Sequence, residues 1–242
     1  DHDHCEQLLA GLRRMGAMFS MSSRRASTRP DRILADIVGG GARTITLAPE
    51  AGSERLRQVI DKDICEADIT GAVEKLASHG VKQLKLYFMV GLPTETDEDI
   101  VEISRLALRC KGILDRQQEG ARLSLNIAPF VPKAGTPFQR LPMAPVETLR
   151  QRIARLKSSL APRGIRLKCE SPAWSQVQAV LARGDTSVAR VLDDIEESSL
   201  AGWRKAVAKC QLDTDFYAHQ EWGESQRLPW AVIDTGPNKA PE

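Results

Sequence analysis

Three loops of this chain carry carboxylates, glycines and prolines directly after apolar runs, within residues 44–54, 84–95 and 123–137. In the first loop, Glu50 can accept two hydrogen bonds from a vicinal diol or bind an amine, because an ionised carboxylate offers only acceptors. Gly52, two residues later, allows the backbone to approach a ligand closely. These residue types predict a ligand site in the loop that follows the first run.

A structural role is the alternative for the same loop. Ser53 or Glu54 can cap the helix that follows, and Glu50 can interact with the positive end of that helix. Ligand binding and capping are compatible, so the residue types leave both open.

Other candidates also have plain structural alternatives. Gly91 permits a planar ring to approach the end of the second run, or it simply forms a tight turn into a helix. Lys85 and Tyr87 share a strand face by the period of two, and an inward lysine would need a charged partner. Arg24 and Arg25 end an earlier apolar run, where one of them could hold a ligand carboxylate or both could be surface residues.

The elements that must position these loops alternate in type. The pattern predicts a strand at Thr44–Ala48, a helix at Ala67–Ser78, a strand at Leu84–Val90, a helix at Ile100–Leu114 and a strand at Leu123–Ile127. Such alternation is typical of βαβ units in one parallel sheet. Ligands bind such sheets at the carboxyl ends of the strands, where the three loops lie.

The remaining pattern predicts a partial barrel with a helical extension. A strand at Ala17–Ser23 and a helix from Pro30 precede the first loop, and Ile165–Glu170 is a further strand candidate. Three helical patterns follow, at Gln176–Ala182, Ser187–Ile195 and Ser199–Cys210. A closed eight-stranded barrel needs more strands than these. We therefore expect an α/β fold with a partial parallel (β/α) barrel over residues 1–142, a mainly helical extension over 143–233 and a loose tail over 234–242.

Composition narrows the class of protein. The 242 residues include 34 basic and 32 acidic ones, a balance that does not favour a polyanionic partner. No apolar run reaches membrane-spanning length, so we expect no membrane contact. Five scattered cysteines favour a reducing, cytoplasmic compartment.

His2 and His4 have metal-ligand chemistry, but histidines at a chain terminus are more often solvated. Because the chain starts at Asp1 without a leader, we expect its N-terminus to be a cut and the barrel to be truncated there.

Four segments resemble the radical S-adenosylmethionine (radical SAM) superfamily, especially the group that often carries a cobalamin-binding domain ahead of the barrel. They are residues 46–57, 84–96, 129–138 and 174–185. The likeness runs over nearly the whole chain. It implies an enzyme that binds S-adenosylmethionine in a barrel of six βα units, of which this chain would be the third unit onward. The substrate stays open, since methylation, methylthiolation, cyclisation and isomerisation all fit.

The resemblance also implies cofactor-binding residues. Glu50 and Ser53 match positions that contact the ribose and methionine part of S-adenosylmethionine. Met89 and Gly91 match a strand motif that packs on the adenine.

Two further matches complete the implied site. The segment from Asn126 to Pro129 matches a strand that lies near the adenine. Arg25 matches an arginine near the cofactor carboxylate, although Ser27 stands where the family has an acidic residue.

The superfamily's three-cysteine motif, Cys-x-x-x-Cys-x-x-Cys, which holds a [4Fe–4S] cluster, is absent from this chain. The resemblance therefore implies a fragment that is inactive alone. Its missing N-terminal segment would hold the cluster in the full-length parent, and cobalamin is a further candidate cofactor through a separate upstream domain. Two alternatives are a non-catalytic barrel remnant that acts as a scaffold or binding module, and a barrel enzyme with different chemistry.

Overall fold

A computed structural model describes residues 5–15, 44–117 and 119–233. The first helix, α1, spans Cys5–Arg14. The predicted strand at Ala17–Ser23, the helix from Pro30 and the tail from Asp234 lie outside the described residues. No helix within the described ranges is long and apolar enough to cross a membrane.

The chain divides into two compact units, of which the first contains residues 1–128 and 149–170. In chain order its further elements are β1 (Thr44–Glu50), α2 (Glu54–Val59), α3 (Glu66–Ser78), β2 (Gln83–Val90), α4 (Asp97–Gln117), β3 (Arg122–Pro129), α5 (Val146–Leu160) and β4 (Arg166–Cys169). A short 3-10 helix at Ala161–Arg163 joins α5 to β4. The predicted alternation is confirmed, with element ends that differ by a few residues.

The four strands form one parallel sheet in the order β1-β2-β3-β4. Thr46 of β1 pairs with Lys85 of β2, and Asn126 of β3 pairs with Lys168 of β4. Each crossover contains a helix, as parallel strands require. The carboxyl ends of the strands therefore lie along one edge, and the predicted α/β class with a partial parallel barrel is confirmed.

One face of this sheet forms the core of the first unit. In β2, Leu84, Leu86, Phe88 and Val90 are buried and alternate with more exposed residues. Helix α4 lies against β2 and buries apolar side chains at helical spacing. The alternation therefore leaves the opposite face of the strands to polar and half-buried residues.

The second unit contains residues 129–148 and 171–242. Its helices are α6 (Pro172–Arg183), α7 (Thr186–Asp193), α8 (Leu200–Cys210) and α9 (Thr214–Ala218). Fully buried Arg183 donates to the carbonyls of Leu141 at 3.1 Å and Gln220 at 3.0 Å, and lies 4.0 Å from the ring centroid of Trp222. Burial lowers the pKa of Arg183 to about 10. The two units interleave in sequence, so the linear domains 1–142 and 143–233 stay a prediction.

Candidate functional site

The carboxyl edge of the sheet contains two strand ends with a left-handed backbone. Glu50, the last residue of β1, has φ 68°, and Gly91, directly after β2, has φ 81°. This conformation is ordinary for glycine, but it costs another residue on the order of 1–3 kcal/mol. Because such strain concentrates at functional sites, this edge is the candidate site.

Glu50 is half-buried at this edge and faces a cation. Its Oε1 lies 3.3 Å from Nζ of Lys62, and the two side chains are 27% and 21% exposed. Sequence reasoning missed Lys62, because nothing in the local pattern relates a lysine beyond α2 to the end of β1. The structure thus adds a second charged side chain beside the predicted carboxylate.

Ser53 takes the capping role that its residue type allowed. Its Oγ accepts from the amide of Leu56 at 3.2 Å and caps α2, while its hydroxyl donates to Oδ1 of Asp99. Both functions of the hydroxyl are thus engaged by protein groups, so Ser53 supports the loop that follows Glu50.

Asp99, in the first turn of α4, joins the loop after β1 to the loop after β2. It accepts from Ser53, from Arg55 and, at 2.8 Å, from the amide of Thr96. Burial alone would raise the pKa of Asp99, but these hydrogen bonds outweigh it and hold the pKa below its usual range. The ionised carboxylate therefore ties the two loops together.

Glu95 fixes the turn at Gly91. One carboxylate oxygen accepts from the Gly91 amide at 2.6 Å and from Arg152 of α5 at 2.7 Å, and Arg152 also donates to the Glu95 carbonyl at 3.0 Å. The Glu95 side chain is only 1% exposed. Its burial outweighs the favourable hydrogen bonds and the nearby guanidinium, and raises the pKa of Glu95 to about 7.

Gly52 serves helix packing at this edge. A Cβ on Gly52 would lie 2.2 Å from the backbone nitrogen of Ile103 in α4. The close helix backbone by itself explains the glycine at position 52, and the expectation that Gly52 admits a ligand stays a prediction.

Met89 and Asn126 lie on the polar face of the sheet. Each is half-buried and alternates with buried neighbours on its strand. Lys85 and Tyr87 share the face of Met89, and Tyr87 is 37% exposed. Half-buried Lys85 forms no ion pair with another residue of the described part. Met89 and Asn126, two of the residues that the resemblance places near the adenine, therefore occupy the side of the sheet away from its helical core.

The structure gives less information about the positions of the other predicted site residues. Pro129 is the last residue of β3 and groups with the second unit. Arg25 lies outside the described residues, as do Ser27, His2 and His4. The roles assigned to them stay predictions.

The cysteines of the described residues do not resemble cluster ligands. Cys110 is buried, and burial raises the pKa of its thiol to about 12, which disfavours the thiolate that metals bind. Burial also raises the pKa of Cys169. Among the described residues there is no group of three His, Cys, Asp or Glu side chains placed to hold a metal ion. The described cysteine positions therefore give no ligand set for a [4Fe–4S] cluster, and the sequence lacks the family's cysteine spacing.

Comparison with known proteins gives a match to one family model and to one relative. Residues 2–107 match the model of the Radical SAM superfamily, a span that includes the loops of Glu50 and Gly91. The chain is also 38% identical over 197 residues to an uncharacterized protein of Methanocaldococcus jannaschii, a match that covers 80% of this chain and 41% of that relative. The chain therefore spans less than half the length of this relative. Residues 2–107 of this chain are therefore similar to the radical SAM superfamily.

Proposed function

We propose that this chain is the S-adenosylmethionine-binding part of a radical SAM enzyme, and that it does not itself carry the iron–sulfur cluster. The observation that carries this proposal is the pair of left-handed strand ends, Glu50 and Gly91, at one edge of a parallel sheet. Both lie within the residues that match the superfamily. Likeness to the superfamily supplies the cofactor class, and the edge supplies a place for it.

The residues present fit an adenosyl group. The half-buried carboxylate of Glu50 is an acceptor for ribose hydroxyls, and Gly91 allows a planar ring to approach the backbone. Met89 and Asn126 supply an apolar and a polar contact for the adenine from the polar face of the sheet. Ser53 holds the loop in place through its cap and through Asp99.

For two of the residues that the resemblance assigns to the site, no contact within either unit supports the assignment. Arg25 is proposed for the cofactor carboxylate and Pro129 for the adenine, both on the resemblance alone. When bound beside a reduced cluster, S-adenosylmethionine supplies radical chemistry in this superfamily.

The rest of the catalytic apparatus belongs to other parts of the parent protein. The described cysteines give no ligand set for a [4Fe–4S] cluster, so an additional N-terminal segment would hold it. Cobalamin, if used, would bind a separate domain. Methylation, methylthiolation, cyclisation and isomerisation of an unidentified substrate remain the candidate reactions.

A calorimetric titration of S-adenosylmethionine into the chain tests the proposal. Glu50→Gln should weaken binding by about 1.5–3 kcal/mol, the range for a hydrogen bond to a charged group. The matched control is Glu102→Gln, which removes a carboxylate of the Arg105 ion pair on α4 and should leave the affinity unchanged.

The alternative outcome is also specific. If Glu50 serves only its ion pair with Lys62, Glu50→Gln should leave affinity unchanged and lower stability by about 1 kcal/mol, the upper end of the range for pairs that remain in contact with water. A wild-type chain that does not bind S-adenosylmethionine would contradict the proposal and favour a scaffolding module.

A further inference from the structure

The four strands of the sheet carry an excess of positive charge. Their only carboxylate is that of Glu50, at the end of β1, and their other charged residues are all cations, namely Lys85, Arg122, Arg166 and Lys168. None of these cations forms an ion pair with another residue in the described ranges. The whole chain is nearly neutral, so the excess is a local property of the polar face of the sheet.

Lys85 belongs to a row of polar side chains that crosses three strands. The first amide of β3 donates to the carbonyl of Lys82 at 3.0 Å, and in a parallel ladder this bond sets Ser124 beside Lys85. Ser124 pairs in turn with Arg166 of β4. Neighbouring strands are about 4.8 Å apart, so the two cations lie on either side of the serine. We call these three residues the Lys85 row.

Ser124 has an unsatisfied hydroxyl in this row. Its Oγ is buried and has no hydrogen-bond partner among the described residues. Buried hydroxyls are normally hydrogen-bonded, because an unpaired one loses its bonds to water without a replacement. The Ser124 hydroxyl can donate to an oxyanion that Lys85 attracts. A bound anion would therefore give both groups the partner that each lacks.

The charge of Lys85 is not explained by protection of a sheet edge. Strand β4 is at the edge of the described sheet, where exposed charges such as Arg166 and Lys168 discourage pairing with another chain. Strand β2 has a neighbour on either side, so Lys85 protects no edge. A half-buried ammonium in a central strand needs an anionic partner.

We propose that the Lys85 row binds a carboxylate or phosphate of the enzyme's substrate, which is therefore an anion. This inference rests on the proposed function, in which S-adenosylmethionine occupies the carboxyl edge of the sheet. Lys85 lies four residues before Met89 on β2, about 13 Å along the strand. The cofactor contacts proposed at the edge therefore leave the row to a second ligand.

The test titrates inorganic phosphate and acetate into the full chain and follows the amide NMR signals of β2 and β3. Lys85→Met and Ser124→Ala should each weaken binding of the preferred anion about tenfold, the effect of one hydrogen bond to a charged group. The matched control is Lys82→Met, which removes an exposed lysine just before β2 and should change binding by less than about twofold. Tighter binding of phosphate would assign a phosphorylated substrate, and equal or tighter binding of acetate would assign a carboxylate.

Thermal unfolding gives a second measurement on the same variants. Because Lys85 lacks an anion in the free chain, Lys85→Met should raise Tm without ligand, and phosphate should raise the Tm of the wild type more than that of the variant. Phosphate also stabilises proteins in general, and the difference between the two chains removes that effect. A lower Tm of Lys85→Met without ligand would mean that Lys85 has a partner within the chain, and would overturn the proposal.

Titration of S-adenosylmethionine separates this inference from the proposed function. The cofactor should bind wild type and Lys85→Met within about twofold of each other, with or without phosphate. Competition between either anion and the cofactor would give the row to the cofactor and overturn the inference.

The two proposals also fail in different ways. If S-adenosylmethionine binds but neither anion does, or if Lys85→Met leaves anion binding unchanged, the inference is overturned while the proposed function stands. If the wild type does not bind S-adenosylmethionine, the proposed function fails, and the assignment of the row to a substrate fails with it even where an anion binds.

Discussion

Two carboxylates at the strand edge, Glu95 and Asp99, are both buried, but their pKa values shift in opposite directions. Asp99 receives hydrogen bonds from three neighbouring residues, and its pKa is lowered. Glu95 has the Gly91 amide and Arg152, yet its deeper burial raises its pKa to about 7. The number of donors relative to burial therefore decides which carboxylate is firmly charged at neutral pH.

Glu95 should make stability depend on pH in a direction opposite to that of most carboxylates. Its folded pKa of about 7 lies above the ordinary 4.5, so the folded state retains a proton that the unfolded state releases. The stabilisation is complete below the unfolded pKa and is lost as pH rises through the folded pKa. Glu95→Gln should therefore remove a contribution of at most roughly 3 kcal/mol between about pH 5 and pH 8.

Urea unfolding at several pH values measures this contribution, as the free energy of unfolding of the wild type minus that of Glu95→Gln. Exposed Glu74 of α3 provides the control, since Glu74→Gln should show no such trend. A difference that stays constant between pH 5 and pH 8 would mean that Arg152 keeps Glu95 ionised throughout this range.

Sequence reasoning singled out Glu50, Ser53 and Gly91 as candidates because each lies in a loop that follows an apolar run. It could not find Asp99 or Lys62 in the same way. Asp99 meets Ser53 across 46 positions of sequence, and such pairs depend on how α4 packs rather than on local pattern. The residues that hold the site together were therefore less predictable than the residues that line it.

At the scale of elements, the packing of α4 on the loop after β1 depends on glycine at position 52, which has no side chain. A Cβ at Gly52 would meet the backbone of Ile103, which cannot move as a flexible side chain could. Gly52→Ala should destabilise the protein by about 1–3 kcal/mol, as overpacking does. Gly112 on the same helix is the matched control, because an added Cβ there meets only Arg116 at 3.8 Å. Gly112→Ala should stabilise by about 0.5–1 kcal/mol through helix propensity.

Thermal or urea unfolding of the two alanine variants compares these effects directly. Equal effects of the same sign at Gly52 and Gly112 would show that close packing is not the reason for glycine at position 52.

The strands and helices were predictable because the apolar period changes from two to about 3.6 at each boundary. The membership of α5 in the sheet-bearing unit was not predicted. Its sequence is amphipathic like those of the helical extension, and only packing shows that residues 149–170 belong with the sheet. The Ile165–Glu170 pattern did predict the strand itself, observed at Arg166–Cys169.

At the scale of the whole molecule, we predict that the isolated chain assembles no stoichiometric [4Fe–4S] cluster. Its five cysteines lack the family spacing, and buried Cys110 is a poor thiolate. Anaerobic reconstitution followed by iron and sulfide analysis checks this. Near-stoichiometric iron and sulfide on the purified chain would contradict the prediction, and serine variants of Cys65, Cys110 and Cys169 would then identify the ligands.

The discontinuous make-up of the sheet-bearing unit also affects the order in which the protein can fold during synthesis. Strand β3 leaves the ribosome before β4, and residues 129–148 of the second unit are made between them. Until β4 is complete, the outer edge of β3 exposes unpaired amides and carbonyls beside apolar residues such as Leu125 and Ile127. A nascent chain that stalls in this interval presents a template for pairing with other chains. Chaperone capture of the growing polypeptide would therefore matter most between the completion of β3 and that of β4.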